Sequence, residues 1–84
     1  MTTENQISAP SELLDKIEQQ WIGRAKTQNI VPSKAMTKGY MNAEGEFFIG
    51  AMAALGALDY VVPPRWFVQI ISGRPIVSME RLRA

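Results

Sequence analysis

The sequence predicts a small all-α domain built from three main helices, and three observations carry that reading. Apolar residues recur at helical spacing from Leu14 to Ala25, from Ala35 to Leu58 and from Trp66 to Ile71. Start and stop residues bound these runs: Pro10 and Ser11, Asn29 with Pro32, Pro63 and Pro64, and Gly73 with Pro75. With 46% hydrophobic against 20% charged residues, the 84-residue chain lies outside the disordered class and is long enough for one domain.

The opening residues Met1 to Ala9 are rich in Thr, Asn, Gln and Ser, and residues 1–10 are expected to form a flexible N-terminal segment ahead of a single helical domain, 11–84. Ser11 is placed to cap the first helix, with Glu12 and Asp15 in the first turn, where the helix dipole favours negative charge. Leu14, Ile17, Trp21 and Ala25 make one apolar stripe, widened by Leu13 and Ile22. Glu12 and Lys16 are spaced for a supporting pair, and Arg24 and Lys26 lie in the last turns. This helix is expected over 11–28.

Ser33 can cap a second helix running from Lys34 to Leu58. Its stripe reads Ala35, Gly39, Ala43, Phe47, Gly50 and Ala54, which is helical spacing carried by unusually small residues. Each of Gly39, Gly45, Gly50 and Gly56 costs about 1 kcal/mol relative to Ala in a helix interior. Their presence points to a packing reason. Small residues four apart, Gly39 with Ala43 and Gly50 with Ala54, let another helix approach closely, either the first helix or a symmetry mate in a homodimer. By analogy this is the logic of close backbone approach in membranes. Alternatively, Gly45 divides two shorter helices.

Pro63 and Pro64 can open a third helix, whose face is Trp66, Phe67, Ile70 and Ile71 and whose stop is Gly73; its expected span is 64–72. Beyond Pro75, Ile76 and Val77 suit an extended segment, while Ser78 to Leu82 suit one helical turn.

Composition excludes several function classes. Without Cys or His the chain forms no disulfide, zinc site or c-type haem attachment, and no Cys–His or Ser–His–Asp machinery. No metal or cofactor is expected. Glu44 and Glu46 are two apart and diverge on a helix, so they do not form a catalytic pair; Glu46 is expected at an exposed helix boundary. No phosphate loop, dinucleotide fingerprint or calcium loop is present. The apolar stretch 47–58 is too short to span a membrane, and no basic cluster precedes an apolar run at the N-terminus. A cytoplasmic, non-enzymatic protein fits these exclusions.

Charge is uneven along the chain. The net charge of +1 conceals four arginines, Arg65, Arg74, Arg81 and Arg83, against the single Glu80 in the C-terminal third. Arginine's fork suits carboxylates, phosphates and base edges. These four, with Lys34 and Lys38 one turn apart and with Trp66 beside Arg65, are the candidate partner-binding residues. Gly39, Ala43, Gly50 and Ala54 are the candidate helix-packing or dimer positions.

Two resemblances extend this reading. The stretch 66–75, Trp-Phe-Val-Gln-Ile-Ile-Ser-Gly-Arg-Pro, resembles the end of the recognition helix in small Cro-type repressors, which would make Arg65 and Gln69 groove-reading residues. The spacing from Gly56 to Gly73 is longer than that family's, and Pro63 and Pro64 fall where its recognition helix would already be running. The strings Glu46-Phe-Phe-Ile-Gly-Ala-Met-Ala-Ala-Leu55, Val62-Pro-Pro-Arg-Trp66 and Ser72-Gly-Arg74 resemble small accessory proteins encoded by bacteriophages and prophages. That resemblance covers about half the chain and assigns no residue a role. It implies a stoichiometric inhibitor or modulator of a host protein or nucleoprotein complex, such as a defence nuclease in the manner of an anti-CRISPR protein. The alternative is a Cro-like DNA-binding transcriptional regulator.

Overall fold

The protein is described by a computed structural model covering residues 7–30 and 37–83. It is a small all-α fold. In chain order the elements are β1 (Ile7–Ser8), α1 (Ser11–Thr27), α2 (Lys38–Ala57), β2 (Tyr60–Val61), α3 (Pro64–Ser72) and α4 (Met79–Arg83).

The first helix begins where the sequence places it, but Ser11 is its first helical residue and not its cap. Pro10 holds the cap position with no side-chain bond, its fixed φ of −58° leading into the helix. Just before it, Ile7 and Ser8 pair in parallel with Tyr60 and Val61, and Ala9 is buried. The expectation of a flexible segment through residue 10 is therefore corrected for 7–10. Two backbone pairs and one buried methyl anchor the entry to α1 against the connector after α2.

The second helix is continuous through Gly45 and starts four residues later than expected. Thr37 is extended, at φ −90° and ψ 162°, and its hydroxyl accepts from the Tyr40 backbone N–H. That bond satisfies one of the free donors at the helix start. The expected cap at Ser33 and helical residues Lys34 and Ala35 lie outside the described residues. Three helices end in left-handed backbone: Asn29 (φ 56°) after α1, Asp59 (φ 64°) after α2 and Gly73 (φ 69°) after α3. Gly73 is where the absence of a Cβ matters, because the left-handed region strains other residues. Ser78 then caps α4, accepting from the Arg81 backbone N–H.

The core is aromatic. Trp21, Tyr40, Phe48 and Trp66 are fully buried, joined by Leu55, Val77 and Leu82. Ring contacts run continuously from Tyr40 to Trp21, Phe47, Phe48 and Trp66, with centroid separations of 5.6, 5.4, 5.2 and 4.8 Å. Edge-on and tilted geometries dominate, as the ring quadrupole favours. The buried stripe of α2 is Tyr40, Glu44, Phe48 and Leu55, one residue on from the expected stripe of small residues. One residue turns a helix by about 100°, enough to carry Gly39, Gly50 and Ala54 to the exposed side. The largest rings took the interior because they remove the most apolar area from water.

Within the chain no helix uses the small residues for close approach. A Cβ at Gly45, Gly50 or Gly56 would meet nothing within 4 Å, and one at Gly39 would touch only the Thr37 hydroxyl, at 4.0 Å. Close packing of α1 against Gly39 and Gly50 is thereby corrected.

Two substitutions should move stability in opposite directions. Gly50→Ala should stabilise the monomer by about 0.5–1 kcal/mol through helix propensity. Gly73→Ala should destabilise it by about 1–2 kcal/mol through its left-handed φ. Urea unfolding of both variants checks the pair; a destabilising Gly50→Ala would contradict the open space around that position.

Candidate functional site

Two carboxylates sit in the core, Glu18 at 4% exposure and Glu44 at 1%. Each occupies a turn of the apolar stripe of its helix, Glu18 in step with Leu14 and Ile22 and Glu44 midway between Tyr40 and Phe48. Burying a charge without partners is prohibitive, so the partners decide what these residues do.

Glu18 gathers three donors from two other helices. Its Oε2 accepts from Arg65 at 2.6 Å and from the Trp66 indole Nε1–H at 3.1 Å. Its Oε1 accepts from Arg81, whose second nitrogen stands 3.6 Å from Asp15. One carboxylate thus ties α1 to α3 and α4. Burial alone would raise its pKa; hydrogen bonds from Arg65, Arg81 and Trp66, with the Arg65 charge, outweigh it and hold the group below 4.5.

Glu44 does a different job. Oε1 and Oε2 accept from the backbone N–H groups of Ile76 (2.9 Å) and Val77 (3.1 Å), pinning the 75–77 segment to α2. The Tyr40 hydroxyl also hydrogen-bonds to Glu44, and it accepts from the Trp21 indole at 2.9 Å. Burial raises the Glu44 pKa above 4.5, opposed by the two backbone donors and increased by the Glu18 charge. Burial likewise pushes the Tyr40 hydroxyl up to about 12. Among the described residues no buried side-chain polar atom lacks a partner. Both carboxylates are thus fully engaged in holding the fold.

The sequence-predicted contact residues divide accordingly. Trp66 is buried between Phe48 and Glu18, so its candidacy as a surface anchor is corrected: the first turn of α3 directs it inward, where its ring and its N–H are both satisfied. Arg81 is committed to Glu18 and Asp15. Arg65 is held by Glu18 yet keeps 54% of its side chain exposed. Arg74, Arg83 and Lys38 are exposed, and Lys34 lies outside the described residues. The four arginines therefore do not form one free basic patch. Glu46 is exposed as expected, though in the interior of α2 and not at its boundary.

Two surfaces remain open. A groove of about 710 Å³ lies between α1 and α2, floored by Gly50, Ala51 and Ala54 beside Trp21 and Phe47, with Arg24 and Glu46 at its rim. The Arg24 guanidinium lies 5.9 Å from the Phe47 ring centre, within cation–π range. Gly50 and Ala54 line this groove, whereas Gly39 does not, and Ala43 is half-buried at its edge. The second surface is the outer side of α3, where Phe67, Val68 and Ile71 are 58%, 57% and 73% exposed. Sequence reasoning placed Phe67 and Ile71 on the core face with Trp66 and Ile70. A nine-residue helix with five large apolar side chains, plus Arg65 and Gln69, gives no amphipathic contrast by which to tell inside from outside.

Among the described residues no group of carboxylates could hold a metal ion, and no helix is long and apolar enough to cross a membrane. Known protein families, curated proteins and solved structures give no match to this chain. Fold and site define a small all-α protein whose buried carboxylates fix the helices and whose third helix carries an uncovered apolar face.

The two carboxylates should shape stability in opposite pH ranges. Glu18 has a folded pKa below 4.5, so its contribution is present above 4.5 and lost as pH falls through the folded value. Glu44 has a folded pKa above 4.5, so the folded state binds the extra proton and stability falls as pH rises from 4.5 through the folded value. Denaturation across pH should show Glu18→Gln losing the acid limb and about 2 kcal/mol near neutrality, with the half-exposed Arg65 partner discounted. Glu44→Gln should flatten the decline above 4.5.

Proposed function

We propose that this chain is a non-enzymatic protein-binding accessory protein that acts stoichiometrically, its contact centred on the outer face of α3. The observation that carries this reading is the exposure of Phe67, Val68 and Ile71 on one short helix. Contiguous apolar surface is kept exposed on small proteins chiefly where something covers it. Its neighbours in the core are fully satisfied, so the face is not a site of missing intrachain partners. The phage-protein resemblance in the second half of the sequence makes a host protein or nucleoprotein complex in the cytoplasm, including a defence nuclease, the first partner class to test.

The Cro-like alternative loses support at the two residues it needs. Arg65 binds Glu18, and Gln69 donates to the Pro75 carbonyl at 3.0 Å. What α3 turns outward instead is Phe67, Val68 and Ile71, which offer no donor or acceptor to base edges.

Self-association is a second proposal, favoured by the groove: Gly50 and Ala54 leave room on the outer side of α2 for a helix of a second copy. Gly50→Leu should then lower the sedimenting mass of a dimer.

An affinity pull-down from host lysate, with and without nuclease treatment, tests the main reading. The expected result is a nuclease-resistant partner at one-to-one stoichiometry whose retention falls at least tenfold with Ile71→Glu, while thermal unfolding of the variant is unchanged. Retention of nothing above background, or of nucleic acid alone, overturns it.

A further inference from the structure

We infer that the outer face of α3 docks an acidic amphipathic helix of the partner protein, with apolar anchors on Phe67, Val68 and Ile71 and carboxylates at Arg65 and Arg74. This deepens the protein-binding reading above and rests on it.

The helix is apolar on two sides. Trp66 and Ile70 face the core, and Phe67, Val68 and Ile71 face away from it. A helix that is apolar all round normally lies between two packed layers, and this one has a single layer beneath it. Its two long polar side chains are turned aside, Arg65 onto Glu18 and Gln69 onto the Pro75 carbonyl. At 1.5 Å per residue the helix is about 13 Å long, which matches anchors at i, i+3 or i+4, and i+7 on a second helix.

Charge selects the occupant. No carboxylate occurs between Asp59 and Glu80, while Arg65 stands in the first turn of α3 and Arg74 just past its end. Arg65 is held in place by Glu18 with half its side chain still exposed, so little rotamer freedom remains to be lost on binding. Arg74 is exposed, and its side chain makes no ion pair among the described residues. The face is therefore an apolar strip with a cation at each end, complementary to an apolar stripe flanked by Asp or Glu. A second copy fits poorly, because pairing α3 with itself brings arginines together with no carboxylate on the helix to meet them. A membrane surface fits poorly too: anionic lipid recognition takes clusters of about four to eight cations, and two bracket this face.

The test is selection from a displayed library of 16-residue peptides with apolar residues fixed at helical spacing and all other positions random. The folded full chain is the bait. Expected binders carry Asp or Glu on both flanks, weaken at least tenfold against Ile71→Glu, and with Arg74→Glu lose their advantage over the same peptides made with Lys flanks. Binders without an acidic bias, or insensitive to Ile71→Glu, overturn the inference. So does a dimer in sedimentation, or binding to phosphatidylserine vesicles, that Ile71→Glu abolishes. A lysate partner retained by Ile71→Glu but lost with Gly50→Leu keeps the protein-binding reading and overturns this one. Acid-flanked binding at α3 with no partner in any lysate does the reverse.

Discussion

The arrangement of the C-terminal half depends on the carboxylate of Glu18. Residues after β2 form two short helices of nine and five residues, too short to persist alone in water. Their docking therefore rests on tertiary contacts, and Glu18 supplies the directional ones: Arg65 and Trp66 from α3, Arg81 from α4. Hydrophobic burial of Trp66 and Leu82 draws these helices onto α1 and α2, but burial has no preferred orientation. A charged acceptor with three donors at fixed angles does. The buried carboxylate gains specificity at the expense of desolvation, a role polar core groups serve in some other proteins.

Glu44 complements that tie with a neutral-donor version. It holds an irregular segment, Ile76 and Val77, by taking over the acceptor role that a neighbouring strand would otherwise play. Backbone N–H groups that leave water need a partner, and a helix side chain provides it where no sheet exists. Glu18 and Glu44 also feel each other's charge, which is one reason the second is the less acidic of the two. The indole of Trp21, the hydroxyl of Tyr40 and the carboxylate of Glu44 then form a buried polar chain from α1 to α2. The core is therefore aromatic and hydrogen-bonded at once, consistent with a small domain that has limited apolar volume.

This internal use of charge changes the meaning of the arginine-rich C-terminal third. Read along the chain, its four arginines suggest a basic surface. In the fold, Arg65 and Arg81 converge on one carboxylate from helix α1, more than forty residues earlier in sequence. What they leave on the outside of α3 is apolar. The protein thus presents to its surroundings a strip of Phe67, Val68 and Ile71 where charge arithmetic pointed to cations.

The sequence by itself determined the helices. Proline, glycine and capping residues act within a few positions, so the start of α1, the span of α3 and the turn at α4 were legible from Pro10, Pro63, Pro64, Gly73 and Ser78. The absence of Cys and His settled which chemistries the chain lacks, since composition needs no fold to be read. Only the tertiary structure decided which faces turned inward. On α2 the small-residue stripe and the true core stripe differ by one position, and the rings of Tyr40 and Phe48 prevailed because buried area grows with side-chain size. On α3 both faces are apolar, so nothing local distinguishes Trp66 from Phe67; the acceptor on Glu18 does, from another helix. Glu18 and Glu44 sat within apolar stripes, a signal available in the sequence, but their partners lie 32 or more positions away for Glu44's backbone donors and 47 or more for Glu18's. Local patterns fix backbone shape, while long-range contacts fix which surface is left for a partner.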